Sequence, residues 1–352
     1  MDKFKYTVKK EDCNYKIKDI LRHNFTFSSR LRTKLKQNNA VYLNGVPTEG
    51  WIIPKEGDII SVRLPDERSD FAPEPIPIAP VYEDDDLLII NKQPGYVVHP
   101  TKGQPYHTIA NGLMQYINDT GQRFKIRFVN RLDRDTSGLL IVAKNAYSQE
   151  ALTRQMRDNI HEKRYVALLC GLMREDCGTV DRPIGRPNSE RIERSTLSVE
   201  EGGYPSVTHY RVIERFPRAL LRLDSTLTIA SGFVEGVPSA FGLRESQKLT
   251  EENLAYVCDG YTLCELILET GRTHQIRVHM GFLGHYVVGD TLYGGVLCAP
   301  DETNLYRPIA ARQLLHAYAL RFRHPVTGVP MELHASVPVD LATLCPGLKE
   351  EF

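Results

Sequence analysis

Apolar residues recur along the chain with two different periods. Between Tyr15 and His23 the apolar positions Ile17, Ile20 and Leu21 lie one to four residues apart, as they do on one face of a helix. Ser28 and Ser29 then stand as N-cap candidates for a second helix over Arg30–Gln37, because a serine hydroxyl accepts from the free N–H groups of a first turn. Val41-Tyr42-Leu43 runs into Asn44-Gly45, a hairpin signal, since both turn residues tolerate positive φ. Trp51–Ile53 and Ile59–Leu64 read as further short strands.

Beyond residue 80 the pattern becomes one of short apolar runs. Strands are predicted at Leu87–Asn91, Leu139–Val142, Tyr165–Cys170, Thr208–Ile213, Leu263–Leu268 and Ala317–Phe322. Helices are predicted at Thr108–Ile117 and Ser148–Asn159, with a shorter one from about Thr273. Strands joined by short turns, without a βαβ rhythm, point to an α+β fold with a mixed, mainly antiparallel sheet. Prolines at 65, 73, 75, 77 and 80 break the chain between the two patterns and mark a semi-rigid linker rather than core. The expected organisation is a small α/β unit over 1–65, a linker over 66–80 and a larger domain over 81–352. Residues from about 219 to 261 are irregular and read as an insertion with some helical content near its end.

Composition narrows the class. With 41% hydrophobic and 25% charged residues the chain fits an ordinary globular protein, not a disordered one. No apolar run approaches the roughly 18–20 residues of a membrane span, and the polar, basic first ten residues lack the apolar core of a signal peptide. Seven scattered cysteines without a C-x-x-C pair fit free thiols in a reducing cytoplasm. Neither a phosphate-binding G-x-x-x-x-G-K-[ST] loop nor an H-E-x-x-H metal motif occurs, so neither cofactor nor metal is expected. A monomer acting away from membranes is the expectation.

Charge adds more by its placement than by its sum. The 44 Lys+Arg and 44 Asp+Glu cancel, which excludes a uniformly basic nucleic-acid binder. Yet Ile20 to Thr48 contains no acid, while Arg22, Arg30, Arg32, Lys34 and Lys36 fall within it. Such a run is often no more than a solvated helix face. The complete absence of acids favours phosphate contact, with Arg30, Arg32 and Lys34 as the leading candidates.

Two clusters carry candidate chemistry. Asn130-Arg131-Leu132-Asp133-Arg134-Asp135-Thr136-Ser137-Gly138 directly precedes an apolar strand, and a strand end is a rigid place to display reactive groups. A D-x-T-x-G tract also makes simple Asx-type turns. The second cluster is Glu269 to His279, in which Thr273 is placed to cap a helix and shares a face with Arg277 four residues on. His274 and His279 are five apart, a poor spacing for one metal, and read as structural or RNA-facing.

Two resemblances follow from these tracts. Residues 13–64, with two short helices, V-x-L-N-G and G-D-x-I-x-V, resemble the small RNA-binding module named after a ribosomal small-subunit protein. Over most of residues 10–340 the chain resembles the RluA/RluD-type RNA pseudouridine synthases. The tracts that carry this are N-R-L-D-R-D-T-S-G at Asn130–Gly138 and G-R-T-H-Q-I-R-V-H at Gly271–His279. With them go N-K-Q-P-G-Y-V-V-H-P at Asn91–Pro100, K-R-Y-V-A-L at Lys163–Leu168, Gly289-Asp290 with Tyr293-Gly294, and Leu315-His316-Ala317 with His324-Pro325.

The resemblance implies isomerisation of uridine to pseudouridine in RNA, with no cofactor. It implies Asp133 as the catalytic carboxylate, Arg277 as the cation paired with it, and Tyr165 as the ring that stacks on the uracil and takes its C5 proton. Arg131 corresponds to the residue that fills the place of the flipped nucleotide, and Asn130 and Arg272 are expected at the RNA. Asn130 replaces the family's usual His, and Gln93 replaces the proline of N-K-P. Large-subunit ribosomal RNA is the expected substrate, with transfer RNA as the alternative. A binding-only ribosome-assembly factor is the competing class, disfavoured by the intact Asp133, Tyr165 and Arg277 set. A glycosidase using Asp133 and Asp135 is disfavoured because carboxylates two residues apart on one loop cannot be assumed to flank a bond.

Overall fold

The computed structural model describes residues 4–217, 260–294, 298–300, 306–308 and 310–348, apart from positions 26, 159 and 346. Residues 219–259 of the expected insertion lie outside the described residues, and its last two, Gly260 and Tyr261, open a strand.

The N-terminal part contains β1 (Phe4–Thr7), α1 (Ile17–Asn24), α2 (Ser29–Gln37), β2 (Val41–Leu43), β3 (Val46–Pro47) and β4 (Ile59–Val62). Its sheet is antiparallel in the order β1-β4-β2-β3. Ser28 caps α2 as its sequence position implies, its Oγ accepting the Leu31 N–H at 3.1 Å. Ile17, Ile20, Leu31 and Leu35 bury the inner faces of both helices against Ile60 and Val62. At the hairpin Asn44 and Gly45 take φ of 50° and 83°, values that an Asn-Gly pair adopts at low cost. Trp51–Ile53 is not a strand. The carbonyls of Gly50 and Ile52 instead accept the N–H groups of Lys18 and Ile17, so the segment satisfies donors at the start of α1.

The larger part continues with β5 (Pro80–Glu83), β6 (Leu87–Lys92), α3 (Ile109–Asp119), β7 (Arg127–Phe128), β8 (Ser137–Ala143) and α4 (Ala146–Arg157). Then come β9 (Glu162–Cys170), β10 (Cys177–Asp181), β11 (Ile184–Gly185), β12 (Ser195–Thr196), β13 (Val207–Pro217), β14 (Gly260–Leu268) and α5 (Gln275–Phe282). The last elements are β15 (Cys298–Pro300), β16 (Tyr306–Pro308), β17 (Leu315–Arg323), β18 (Pro330–His334) and α6 (Val339–Leu344).

Ten of these strands form one sheet along the path β10-β13-β14-β9-β17-β8-β6-β5, with β18 beside β17 and β7 beside β8. Its pairings are antiparallel except β17 with β8, where His316 and Ala317 lie opposite Ser137 and Gly138. That parallel seam joins the two antiparallel halves. At Gly138, φ is +113° and an added Cβ would lie 2.2 Å from the Ala317 carbonyl oxygen. The glycine of the T-S-G tract is therefore a condition for closing the sheet.

Both faces of the sheet are covered. Leu88, Ile90, Leu140 and Val142 bury one face of the β6–β8 half under Ile109 and Leu113 of α3, and Leu139 and Ile141 bury the other with Leu152 of α4. On β9, Tyr165, Ala167 and Leu169 face Ile276 and Met280 of α5, while Val166 and Leu168 face Leu341 of α6.

The proline-rich segment is extended, as its prolines require, but it is laid along the body. Ile76 is buried against Gly112 of α3, where a Cβ would sit 2.9 Å from the Ile76 Cβ. Asn111 donates to the Ala72 carbonyl at 2.8 Å, and Glu67 pairs with both Lys34 of α2 and Arg127 of β7. Phe4 and Phe27 pack edge-on against Tyr147 of α4, with ring centroids 4.6 and 5.5 Å apart.

Candidate active site

The seam of the sheet displays a tightly held turn. Asp133 lies on the connection from β7 to β8, and its carbonyl accepts the Thr136 N–H at 3.2 Å. The next carbonyl, of Arg134, accepts from Lys92 Nζ at 2.8 Å and from the Gly95 N–H at 3.0 Å. The Asp135 carbonyl accepts from Arg312 Nη1 at 3.0 Å, and Gln313 Nε2 donates to Thr136 Oγ1 at 2.7 Å. Arg312 is in turn bidentate to Asp340 of α6, at 2.6 and 2.8 Å. Lys92 is fully buried, and burial brings its pKa down to about 7 against the opposing pull of Asp135. These contacts fix the backbone on which Asp133 rides, from three separate parts of the chain.

Both departures from the family pattern have structural work. Asn130 donates to the Leu139 carbonyl at 3.1 Å and accepts the Ile141 N–H at 2.8 Å, so its amide ties the start of the turn to β8. Gln93 donates to the Pro77 carbonyl at 2.9 Å and anchors the proline-rich segment.

The side chain of Asp133 meets α5. Arg277 Nη1 donates to Asp133 Oδ2 at 3.1 Å, while its Nε and Nη2 donate to Asp290 at 2.6 and 2.8 Å. Burial opposes the charge on Arg277. The hydrogen bonds and charge of Asp290, and then those of Asp133, outweigh it and raise the pKa, so the guanidinium stays protonated. Asp290 is also held, its Oδ1 accepting the N–H groups of Leu292 and Tyr293 at 3.1 and 3.2 Å. The Tyr293 ring lies 4.9 Å from the guanidinium carbon.

The start of α5 differs from the expectation. Thr273 is not its cap. His274 occupies that position with a left-handed φ of 58°, because Gln275 Oε1 accepts from the Arg272 N–H and Thr270 hydroxyl and closes a tight turn just before the helix. The His274 ring lies with Nε2 3.9 Å from Asp133 Oδ2 and Nδ1 2.9 Å from the Tyr293 hydroxyl. Burial lowers its pKa against the opposing pull of Asp133. His279 is structural: its ring nitrogens meet Thr208 Oγ1 at 2.8 Å and the Arg182 carbonyl at 2.9 Å.

Tyr165 projects from β9 into the same cleft, which has a volume of about 880 Å³. The ring is buried, and burial, followed by the charge of Asp133, pushes its phenol above the ordinary value. It therefore meets a ligand as a protonated hydroxyl. Asn130, Arg131, Asp133, Arg272 and Arg277 line that cleft with it. Arg131 is exposed at its edge, and Arg272 stacks its guanidinium 5.5 Å over Tyr204.

The α2 cations are placed elsewhere. Arg30 is exposed, whereas Arg32 donates to the Phe27 carbonyl at 2.6 Å and Lys34 pairs with Glu67 at 2.5 Å. None of the three lines the cleft.

Asp290, Lys92, Arg312 and Gln313 received no role from sequence reasoning. Gly289-Asp290 and Asn91-Lys92 stood in recognisable tracts, but which groups they would touch depends on how distant segments meet. Among the described residues, Asp84, Asp86 and His324 are the one group close enough to share a metal ion. Their atoms are already used: His324 Nε2 donates to Asp84 at 2.8 Å, and its Nδ1 accepts from the Thr327 N–H at 3.1 Å. The other Asp84 oxygen accepts from two backbone N–H groups, so the set is a hydrogen-bonded corner of the fold.

A carboxylate held against a fixed guanidinium, beside a buried ring in an open cleft with a basic edge, suits nucleophilic or base chemistry on a flat, neutral group carried by a polyanion. Comparisons with known proteins agree. The family model described as RNA pseudouridylate synthase matches residues 86–281. The chain is 36% identical over 323 residues to an uncharacterized RNA pseudouridine synthase, YjbO, of Bacillus subtilis, covering 91% of this chain and 95% of that one. It is 35% identical over 332 residues to ribosomal large subunit pseudouridine synthase D of Pasteurella multocida, covering 92% and 87%. Among solved structures, the human RNA pseudouridylate synthase domain containing 1 superposes with a TM-score of 0.51 at 25% identity, covering 77% of this chain and 87% of that one. The fold, the cleft and these relatives together make the chain a member of the RNA pseudouridylate synthase family.

Proposed function

We propose that the protein converts specific uridines of large-subunit ribosomal RNA to pseudouridine, with Asp133 as the catalytic carboxylate. The observation that carries this reading is the chain of contacts Asp133–Arg277–Asp290 at the floor of the cleft. A carboxylate so paired presents its charge in a fixed direction without needing a metal or an external energy source. The relatives named for the large ribosomal subunit support the choice of RNA. Transfer RNA is the alternative substrate.

The reaction is balanced within one nucleotide. The bond from ribose C1′ to uracil N1 breaks, the uracil turns over, and C1′ bonds to uracil C5. The hydrogen on C5 leaves and N1 gains one. Asp133 acts on the ribose or uracil while Arg277 stabilises its charge. Tyr165 stacks on the uracil. Because its phenol is protonated at rest, it takes up the C5 proton only while passing on its own, as a relay and not as a standing phenolate. Arg131 and Arg272 at the cleft contact the RNA, with Arg131 taking the space vacated by the flipped nucleotide.

The N-terminal unit would hold RNA away from the reacting base. With Arg32 and Lys34 partly buried and engaged by the Phe27 carbonyl and Glu67, exposed Arg22, Arg30 and Lys36 carry most of that contact. Its packing on Tyr147 keeps it in register with the larger part. The protein is read as a cytoplasmic monomer. No helix among the described residues is long and apolar enough to cross a membrane, and Cys13, Cys170, Cys177, Cys264 and Cys345 are free thiols.

Mapping pseudouridines in total RNA from a strain lacking the gene tests the reading. Loss of sites in large-subunit ribosomal RNA, restored by the wild-type gene, is the expected result. Loss confined to transfer RNA would replace the substrate, and no loss in any RNA would overturn the function.

A further inference from the structure

Lys163 is a buried cation without a counter-charge among the described residues. It lies on β9 two residues before Tyr165, so strand alternation turns both side chains to the same face of the sheet, and both line the cleft. Only 9% of Lys163 is exposed, yet no carboxylate or other acceptor among the described residues bonds its ammonium. The other buried cations around the site differ. Lys92 has the carbonyls of Gln93 and Arg134, Arg127 has Glu67, and Arg277 has two aspartates. An unpaired buried charge is costly, so a chain that keeps one facing an open cleft holds it for something that arrives with the opposite charge. Burial lowers its pKa, and no neighbouring carboxylate opposes that shift.

The surroundings say which part of the substrate this is. A Cβ on Gly271 would lie 3.2 Å from Lys163 Nζ, so the ammonium sits against the backbone of the Gly271–Arg272 loop. The ammonium thus lies at the Gly271–Arg272 side of the cleft, whose lining also includes Arg157 and Arg272. In an RNA strand whose base enters the cleft, the anionic group beside the base and its ribose is the phosphodiester.

We propose that Lys163 binds a backbone phosphate at or next to the target uridine, and that Gly271 is glycine to leave room for that contact. This rests on the RNA substrate assigned above. A shielded ammonium contacts one phosphate at short range, unlike the exposed arginines at the edge, which act through a more diffuse field. It thus fixes the register of the strand in the cleft.

The test compares wild type with Lys163→Met, which keeps the length of the side chain and removes its charge. Binding of a synthetic uridine-bearing RNA hairpin is measured across salt concentrations, with the melting temperature of each protein. The expected result is a salt slope smaller by about 0.7–0.9 for Lys163→Met, affinity weaker by about tenfold, and a melting temperature equal or higher. A series of hairpins, each with one neutral methylphosphonate linkage, should reveal one position that weakens wild type and leaves Lys163→Met unaffected. An unchanged salt slope, or methylphosphonates that weaken both proteins alike at every position, would overturn the assignment. A loss confined to kcat would overturn it too, by moving Lys163 into the chemical step. Pseudouridine formation is scored on the same samples: its absence in wild type defeats the functional reading, while the binding comparison decides Lys163 separately.

Discussion

Replacing Asp290 by Asn tests how Arg277 is held. Asp290 is 1% exposed and accepts two of the three hydrogen bonds that Arg277 makes to carboxylates, at 2.6 and 2.8 Å. The amide leaves one acceptor and turns an NH₂ group toward the guanidinium. Removing one partner of a buried pair costs about 3–5 kcal/mol when nothing replaces it. Here Asp133 still holds the cation at 3.1 Å, so a loss of about 2–4 kcal/mol in stability is expected. The guanidinium, freed on one side, no longer fixes the direction of the Asp133 carboxylate. A loss of about 1.4–2.8 kcal/mol at the transition state corresponds to a 10- to 100-fold fall in kcat. Tritium release from RNA labelled at uridine C5, under single-turnover conditions, gives the rate, and denaturant unfolding gives the stability. RNA affinity should remain near wild type, since Asp290 is buried behind Arg277. A variant with wild-type kcat and wild-type stability would refute the view that Asp290 sets the position of the catalytic pair.

Gly138→Ala places a Cβ 2.2 Å from the Ala317 carbonyl oxygen at a φ of +113°, and should cost more than about 3 kcal/mol or prevent folding. Near-wild-type stability in denaturant unfolding would contradict the seam as described. Glu67→Gln addresses the contact between α2 and β7. Burial works against the Glu67 charge, but Lys34 and then Arg127 outweigh it and hold the carboxyl below its ordinary 4.5. Its stabilisation is therefore complete above pH 4.5 and is lost as pH falls through the lower folded value. The variant should melt about 2–4 °C below wild type at pH 7, with the gap closing in acid below that range. A gap that persists unchanged in acid would show that the pairing contributes nothing.

Local rules account for much of what the sequence revealed. Helix and strand periods placed most elements, because their apolar faces had to be buried whatever the tertiary arrangement. Ser28 and Asn44-Gly45 act within a few residues, and both behave as their chemistry requires. Two local readings failed where other groups competed for the same backbone. Trp51–Ile53 had strand composition, but the open donors of α1 claimed its backbone. Thr273 had the chemistry of a cap, but Gln275 closed a turn that moves the cap one residue on, to His274. Asp133, Tyr165 and Arg277 were found through motifs, and they do line one cleft. Asp290 and Arg312 could not be given roles in the same way, since the partners that define them lie up to 177 residues away. Arg32 and Lys34 counted as free charge in the sequence; in the fold, a carbonyl and Glu67 engage them.

Asp133→Asn is the most direct test of the account. The amide is close in size and keeps an acceptor for Arg277, so folding and RNA affinity should stay near wild type, while single-turnover tritium release from C5-labelled uridine in large-subunit ribosomal RNA falls to background. Release at the wild-type rate by this variant would contradict the assignment of Asp133 as the catalytic carboxylate.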